Sequence, residues 1–250
     1  MDFTFSCYEK LLQLLVQQGY QFADYHSWEQ MRRPVILRHD IDYDLPKALG
    51  IAETEAAFGA GGQARSTYFV LLSSDFYNVF SRKGRLLMRR ISSMGHEIGL
   101  HFDEMQYPDA AGDMDKIRML ILKEADALSD AAGCPVTAVS MHRPSRAVLQ
   151  ADLEIPGMVN SYSRTFFHEF KYLSDSRRRW REPVEQAVCS GAYEKLHILT
   201  HAFWYFDREE TLHDTVEKFV NGACSRCYQA FSENFTDLAS VMGPEEALMR

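Results

Sequence analysis

No run of about 18 consecutive apolar residues occurs anywhere in the 250-residue chain, so the sequence offers no helix able to cross a membrane. Basic residues are in deficit. Against 35 Asp and Glu stand 27 Lys and Arg, a net charge of −8 and the wrong sign for a general nucleic-acid binder or an adherent of anionic lipid. Cysteine is sparse: Cys7, Cys134, Cys189, Cys224 and Cys227 are odd in number and scattered, as expected of reduced thiols. Residues Met1 to Cys7 lack the basic segment and apolar run of a secretory leader, which sets the expectation of a cytoplasmic protein. Internal repeats, low-complexity linkers and breaks in composition are missing as well. What is present is the mixture of an ordinary folded domain, 46% hydrophobic and 25% charged, able to bury a sizeable core.

Short apolar runs alternate with helical spans. Val35 to Asp40, Ser66 to Leu72, Glu97 to Phe102, Val136 to Met141, Gly157 to Ser161 and Lys195 to Thr200 read as strands. An amphipathic helix is expected over Tyr8 to Gln18. A second is capped by Asp44 with Pro46 in its first turn, and its packing stripe is read as Ala48, Ile51, Ala52, Ala56 and Ala57. Further helices are expected over Asn78 to Met94, over Asp113 to Ala132 closed by Gly133, and over about Glu209 to Ser232. Strands separated by helices of this length predict parallel β/α units.

In such folds polar groups at the C-terminal strand ends do the chemistry. Asp40 and Asp42 follow the first long strand two residues apart and so share a face; helix capping is the plain alternative. His96 and His101 are an odd number apart and point to opposite faces of an extended strand, which leaves His96 structural and His101 beside Asp103 as the site residue. His142 and Arg143 stand where Pro144 breaks the next strand, and His201 ends another. Cys224-Ser225-Arg226-Cys227 has no second pair and falls in a helix, which makes a redox site the minor reading. The basic cluster Arg177-Arg178-Arg179 with Arg181 brackets Trp180 and reads as a solvated face or a small anion contact. Phe203-Trp204-Tyr205-Phe206 reads as a packing or pocket wall.

In order along the chain, these segments resemble the polysaccharide deacetylase (NodB-homology, carbohydrate esterase family 4) superfamily, most closely its intracellular branch found with bacterial surface-polysaccharide genes. Arg38-His39-Asp40-Ile41-Asp42-Tyr43-Asp44 looks like the first motif and Gly95-His96-Glu97-Ile98-Gly99-Leu100-His101 the approach to the second. Met141 to Ser145 is similar to the third, Tyr172 to Trp180 faintly to the fourth, and Leu199-Thr200-His201 to the fifth. The resemblance implies an α/β fold, a distorted (β/α)7-type NodB-like barrel over residues 34–205. Residues 1–33 would be a helical lead-in, and residues 206–250 a helix and tail packed on the same domain. It further implies a divalent metal, zinc foremost with cobalt or nickel as alternatives, and hydrolysis of an N-acylated sugar, free or as a nucleotide-linked or lipid-linked precursor. Carried over by position, Asp40 is the base, Asp42 and His101 are metal ligands, Arg143 holds Asp40, His201 is the acid, and Asp175, Trp180 and Trp204 face substrate. The family's second metal histidine stands four residues after the first, where this chain has Met105, and a thioether is a poor zinc ligand. His142 is the first candidate to replace it and Asp103 the second. Without a replacement, the chain would be a metal-free, non-catalytic sugar-binding or assembly protein.

Overall fold

The computed structural model describes residues 1–59 and 64–247. Its elements run α1 (Phe5–Gln17), β1 (Gln21–Ala23), β2 (Pro34–Ile41), α2 (Leu45–Ala57), β3 (Thr67–Leu71), α3 (Arg82–Ser93), β4 (Glu97–Asp103), α4 (Met114–Ala132), β5 (Ala138–His142), α5 (Arg146–Ala151), β6 (Val159–Asn160), β7 (Lys171–Ser174), α6 (Val184–Cys189), β8 (Leu196–Thr200), α7 (Leu212–Ser232) and α8 (Leu238–Val241). Every ladder is parallel, in the order β6-β5-β4-β3-β2-β8-β7, and β1 pairs with the first residues of β2. The sheet curls into a half-barrel flanked by helices, a distorted (β/α) barrel.

The expected strands and long helices are present, with shifted ends. Asp44 occupies the N-cap of α2 with Pro46 in its first turn, Ser81 caps α3 through the Gly84 amide, and α4 closes on Gly133 at φ 75°. On α2 the buried face holds Ala48, Ile51, Ala52 and the charged Glu55, while Ala57 is exposed. The predicted stripe is thus corrected by one residue type. Glu55 is buried because its carboxylate accepts hydrogen bonds from Tyr8 Oη (2.6 Å), Tyr68 Oη (2.7 Å) and Ser66, and meets His39 Nε2 at 3.0 Å. His96 is structural, as expected, placed between Ser66 and the Ala52 carbonyl.

The concave side is filled from the bottom by aromatic rings. Tyr25, Phe69, Phe166 and Phe170 pack with Ile36 and Ala138, and the Tyr25 and Phe166 rings meet edge to face at 4.9 Å. Gly99 leaves the room they need, since a Cβ there would lie 2.6 Å from the Phe69 ring. Above this plug the inward residues of the strands turn polar, and the site begins. The chain divides into two compact units, Met1–Asp207 and Arg208–Arg250, the second containing α7 and α8. Among the described residues no helix is long and apolar enough to cross a membrane.

Candidate metal centre

Three strands, β2, β4 and β5, deliver three donors to one point. Asp42 follows the last residue of β2, His101 lies on β4, and His142 ends β5, where its backbone is in register with Asp103. His101 Nε2 lies 3.1 Å from His142 Nδ1 and 3.2 Å from Asp42 Oδ1, and the third side of the triangle, His142 Nδ1 to Asp42 Oδ1, is 3.4 Å. An ion about 2.0–2.2 Å from tetrahedral N and O donors spaces those donors by roughly 3.3 Å, so the triangle fits a divalent cation. Asp42 Oδ1 is buried and accepts no hydrogen bond, the condition of a ligand atom. Burial opposes charge on Asp42, yet the facing imidazoles outweigh it and hold the carboxyl well below its ordinary value. Asp42, His101 and His142 form an Asp/His/His metal-binding triad.

Asp103 is not part of it. Its carboxylate accepts from Arg143 at 2.7 Å and from the Met105 amide at 3.2 Å, while Met105 itself is 66% exposed. The second imidazole facing His101 comes from β5, as His142.

Beside the triad, Asp40 is held by Arg38. The two share a face of β2, and the guanidinium forks onto the carboxylate at 2.9 and 2.6 Å through Nη2 and at 3.2 Å through Nε. This corrects the expectation for Arg143: in the left-handed region at φ 50°, with its side chain 64% exposed, Arg143 pairs with Asp103 instead. Arg38 is fully buried, is bound further by Ser140 and Ser161, and lies over the Phe69 and Tyr162 rings. Its i, i+2 spacing from Asp40 was the available sequence signal. Burial raises the Asp40 carboxyl, but Arg38 and then His101 and His201 bring it below its ordinary value.

His201, after β8, faces the same rim with Nε2 3.8 Å from Asp42 Oδ2. Its Nδ1 donates to Asp175 Oδ1 at 2.6 Å, and its backbone amide donates to the same carboxylate. Burial lowers the imidazole pKa, but Asp175 outweighs burial and pushes it up to about 9. Asp175 also accepts from Tyr205 and is fully buried, so the expectation that it faces substrate is corrected: it is the group that orients His201. Trp204 is 7% exposed, meets Phe203 edge to face and packs at a tilt against Tyr43, the neighbour of Asp42; Trp180 is half-buried.

No family model and no curated protein matches the chain. Solved structures do. The Xyl-CE4 domain of a multidomain xylanase from the hindgut metagenome of Trinervitermes trinervoides is 14% identical with a TM-score of 0.42, over 77% of this chain and 83% of that one. A polysaccharide deacetylase from Bacillus cereus is 16% identical with a TM-score of 0.42, over 78% and 89%. A CE4 family pseudoenzyme from Bacillus anthracis is 16% identical with a TM-score of 0.41, over 76% and 62%. The donor triangle and its flanking groups stand independently of these likenesses.

Proposed function

We propose that the chain is a metal-dependent hydrolase that removes an N-acyl group, foremost N-acetyl, from an amino sugar destined for a bacterial surface polysaccharide. One observation carries the reading: a three-donor triangle of metal-ligand dimensions lies between a pinned carboxylate, Asp40, and a carboxylate-supported imidazole, His201. Metal-assisted amide hydrolysis uses a group in each of these three roles.

A divalent ion, zinc foremost, held by Asp42, His101 and His142 would polarise the acyl carbonyl and acidify a water molecule. Asp40, kept ionised and in place by Arg38, is positioned to accept a proton from the water whose oxygen bonds to the acyl carbon. His201, protonated at neutral pH, has Nδ1 committed to Asp175 and Nε2 toward the rim. Its Nε2 proton passes to the departing nitrogen as the C–N bond breaks, giving a free amine and a carboxylate. The non-catalytic alternative drew on Met105, and the placement of His142 beside Asp42 and His101 favours the enzyme reading over it.

The test is acetate release from N-acetylated sugars and sugar nucleotides by protein loaded with zinc or cobalt. Release that Asp40→Asn lowers by roughly 10² to 10⁴-fold while metal stays bound is the expected result. No release by stoichiometrically loaded protein across the substrate panel overturns the reading.

A further inference from the structure

The arginine cluster is rooted on the residue that holds His201. Asp175 follows the last residue of β7, and β7 runs parallel to β8, so the chain leaves the sheet on the rim where the triad sits. It then closes on itself: the Arg179 amide donates to the Asp175 carbonyl at 3.1 Å and the Arg181 amide to the Ser174 carbonyl at 3.3 Å. Four arginines are thereby gathered in one tight turn within six residues of Asp175, the carboxylate that holds the proposed acid His201.

A merely solvated basic loop does not need this backbone. Arg177 and Arg178 both occupy the left-handed region, at φ 61° and 55°, which is costly for residues with a Cβ and is stored where surrounding structure enforces it. Arg178 is spent on packing, its guanidinium over the Phe3 ring. Arg177, Arg179 and Arg181 are exposed, and among the described residues no carboxylate pairs with them. The nearest acids along the chain are committed elsewhere, Glu182 to Lys171 and Glu185 to the N-terminal amine. Three unpaired guanidinium forks on a chain of net charge −8 mark an anion site.

We propose that this turn binds the diphosphate through which the amino sugar is joined to its carrier; the inference rests on the deacetylase reading and specifies its substrate class. Three guanidinium groups match a diphosphate ester, which carries two or more charges on adjacent phosphoryl groups. A polynucleotide would need a basic stripe that the acidic remainder of the chain does not supply. An anomeric diphosphate lies next to the carbon bearing a 2-amino group, so chemistry at the triad and recognition at the turn fall within one substrate.

Calorimetric titration of the intact protein with inorganic diphosphate, UDP, farnesyl diphosphate and, as reference, sulfate tests it without any need for turnover. Diphosphate ligands should bind tighter than sulfate, and each arginine removed among Arg177→Ala, Arg179→Ala and Arg181→Ala should weaken them about tenfold. UDP tightest identifies a nucleotide carrier and farnesyl diphosphate tightest a lipid carrier, both in support. Arg177→Gly separates binding from architecture, because glycine relieves the left-handed strain. It should melt no lower than the parent yet lose its share of affinity. Affinity no better than for sulfate, or unchanged in the triple variant, overturns the proposal. Arginine-dependent binding without acetate release would sink the deacetylase reading alone.

Discussion

On the proposed reading each of Asp42, His101 and His142 would supply one of three protein bonds to the ion, so none would be dispensable. His142→Ala should purify without stoichiometric metal by plasma mass spectrometry, whereas Asp103→Ala should retain it, because Asp103 is already engaged by Arg143 and the Met105 amide. The reverse pattern would move the third ligand to Asp103. Asp175→Asn removes the charge that raises His201, and the direction of the effect follows. The alkaline limb of the pH–rate profile, set by loss of the acid's proton at or below about 9, should move to lower pH, and turnover should fall by roughly 10² or more. An unmoved limb would show that His201 is not the titrating acid. The roles of Arg38 and Asp175 were the least legible part of the site. Arg38 shares with Asp40 the same two-residue spacing that was read for Asp40 and Asp42, but a buried arginine becomes plausible only once β5 and the segment after β6 bring Ser140 and Ser161 to it.

Strands β2, β3, β4, β5 and β8 were legible as apolar runs because both faces are covered, which is the mark of a parallel sheet. β1 and β7 were not, being three and four residues long, and β7 begins directly after a π-helical turn. α6, six residues with no side-chain cap, carried no start signal either. Glu55 was hidden among alanines because its partners come from α1, β2 and the entry to β3, and no local pattern reports them. At this scale the sharpest stability test is Gly99→Ala on β4. The added methyl must displace the Phe69 ring, and the variant should lose about 1–3 kcal/mol in chemical denaturation. A loss near zero would show that the aromatic plug yields.

Two buried charges set opposite edges on the stability of the whole molecule. Burial raises the Glu55 carboxyl, but His39, His96 and Ser66 outweigh it and take it from 4.5 to about 2, so its contribution is present above about 4.5 and is lost as pH falls through 2. His201 is shifted the other way, from 6.5 to about 9. Its contribution is complete below 6.5 and is lost as pH rises through 9. Burial also takes His197 from 6.5 down to about 3, and holding it neutral costs stability below 6.5, so denaturation midpoints of chelated protein should peak toward the upper end of the window from about pH 4.5 to 6.5. Glu55→Gln should flatten the acid side and Asp175→Asn the alkaline side, and a profile untouched by either variant would contradict the assignment.

The order of strands in the sheet also has a meaning for biosynthesis. Asp42, His101 and His142 all lie on or directly after β2, β4 and β5, within the first 142 residues, whereas His201 arrives with β8 on the other flank of β2. A nascent chain thus presents all three proposed metal donors before the proposed proton donor has left the ribosome, and an ion captured then would tie β2, β4 and β5 together as the remainder is translated. On the proposed roles, metal capture and catalytic competence would be separate events, ordered by the direction of translation.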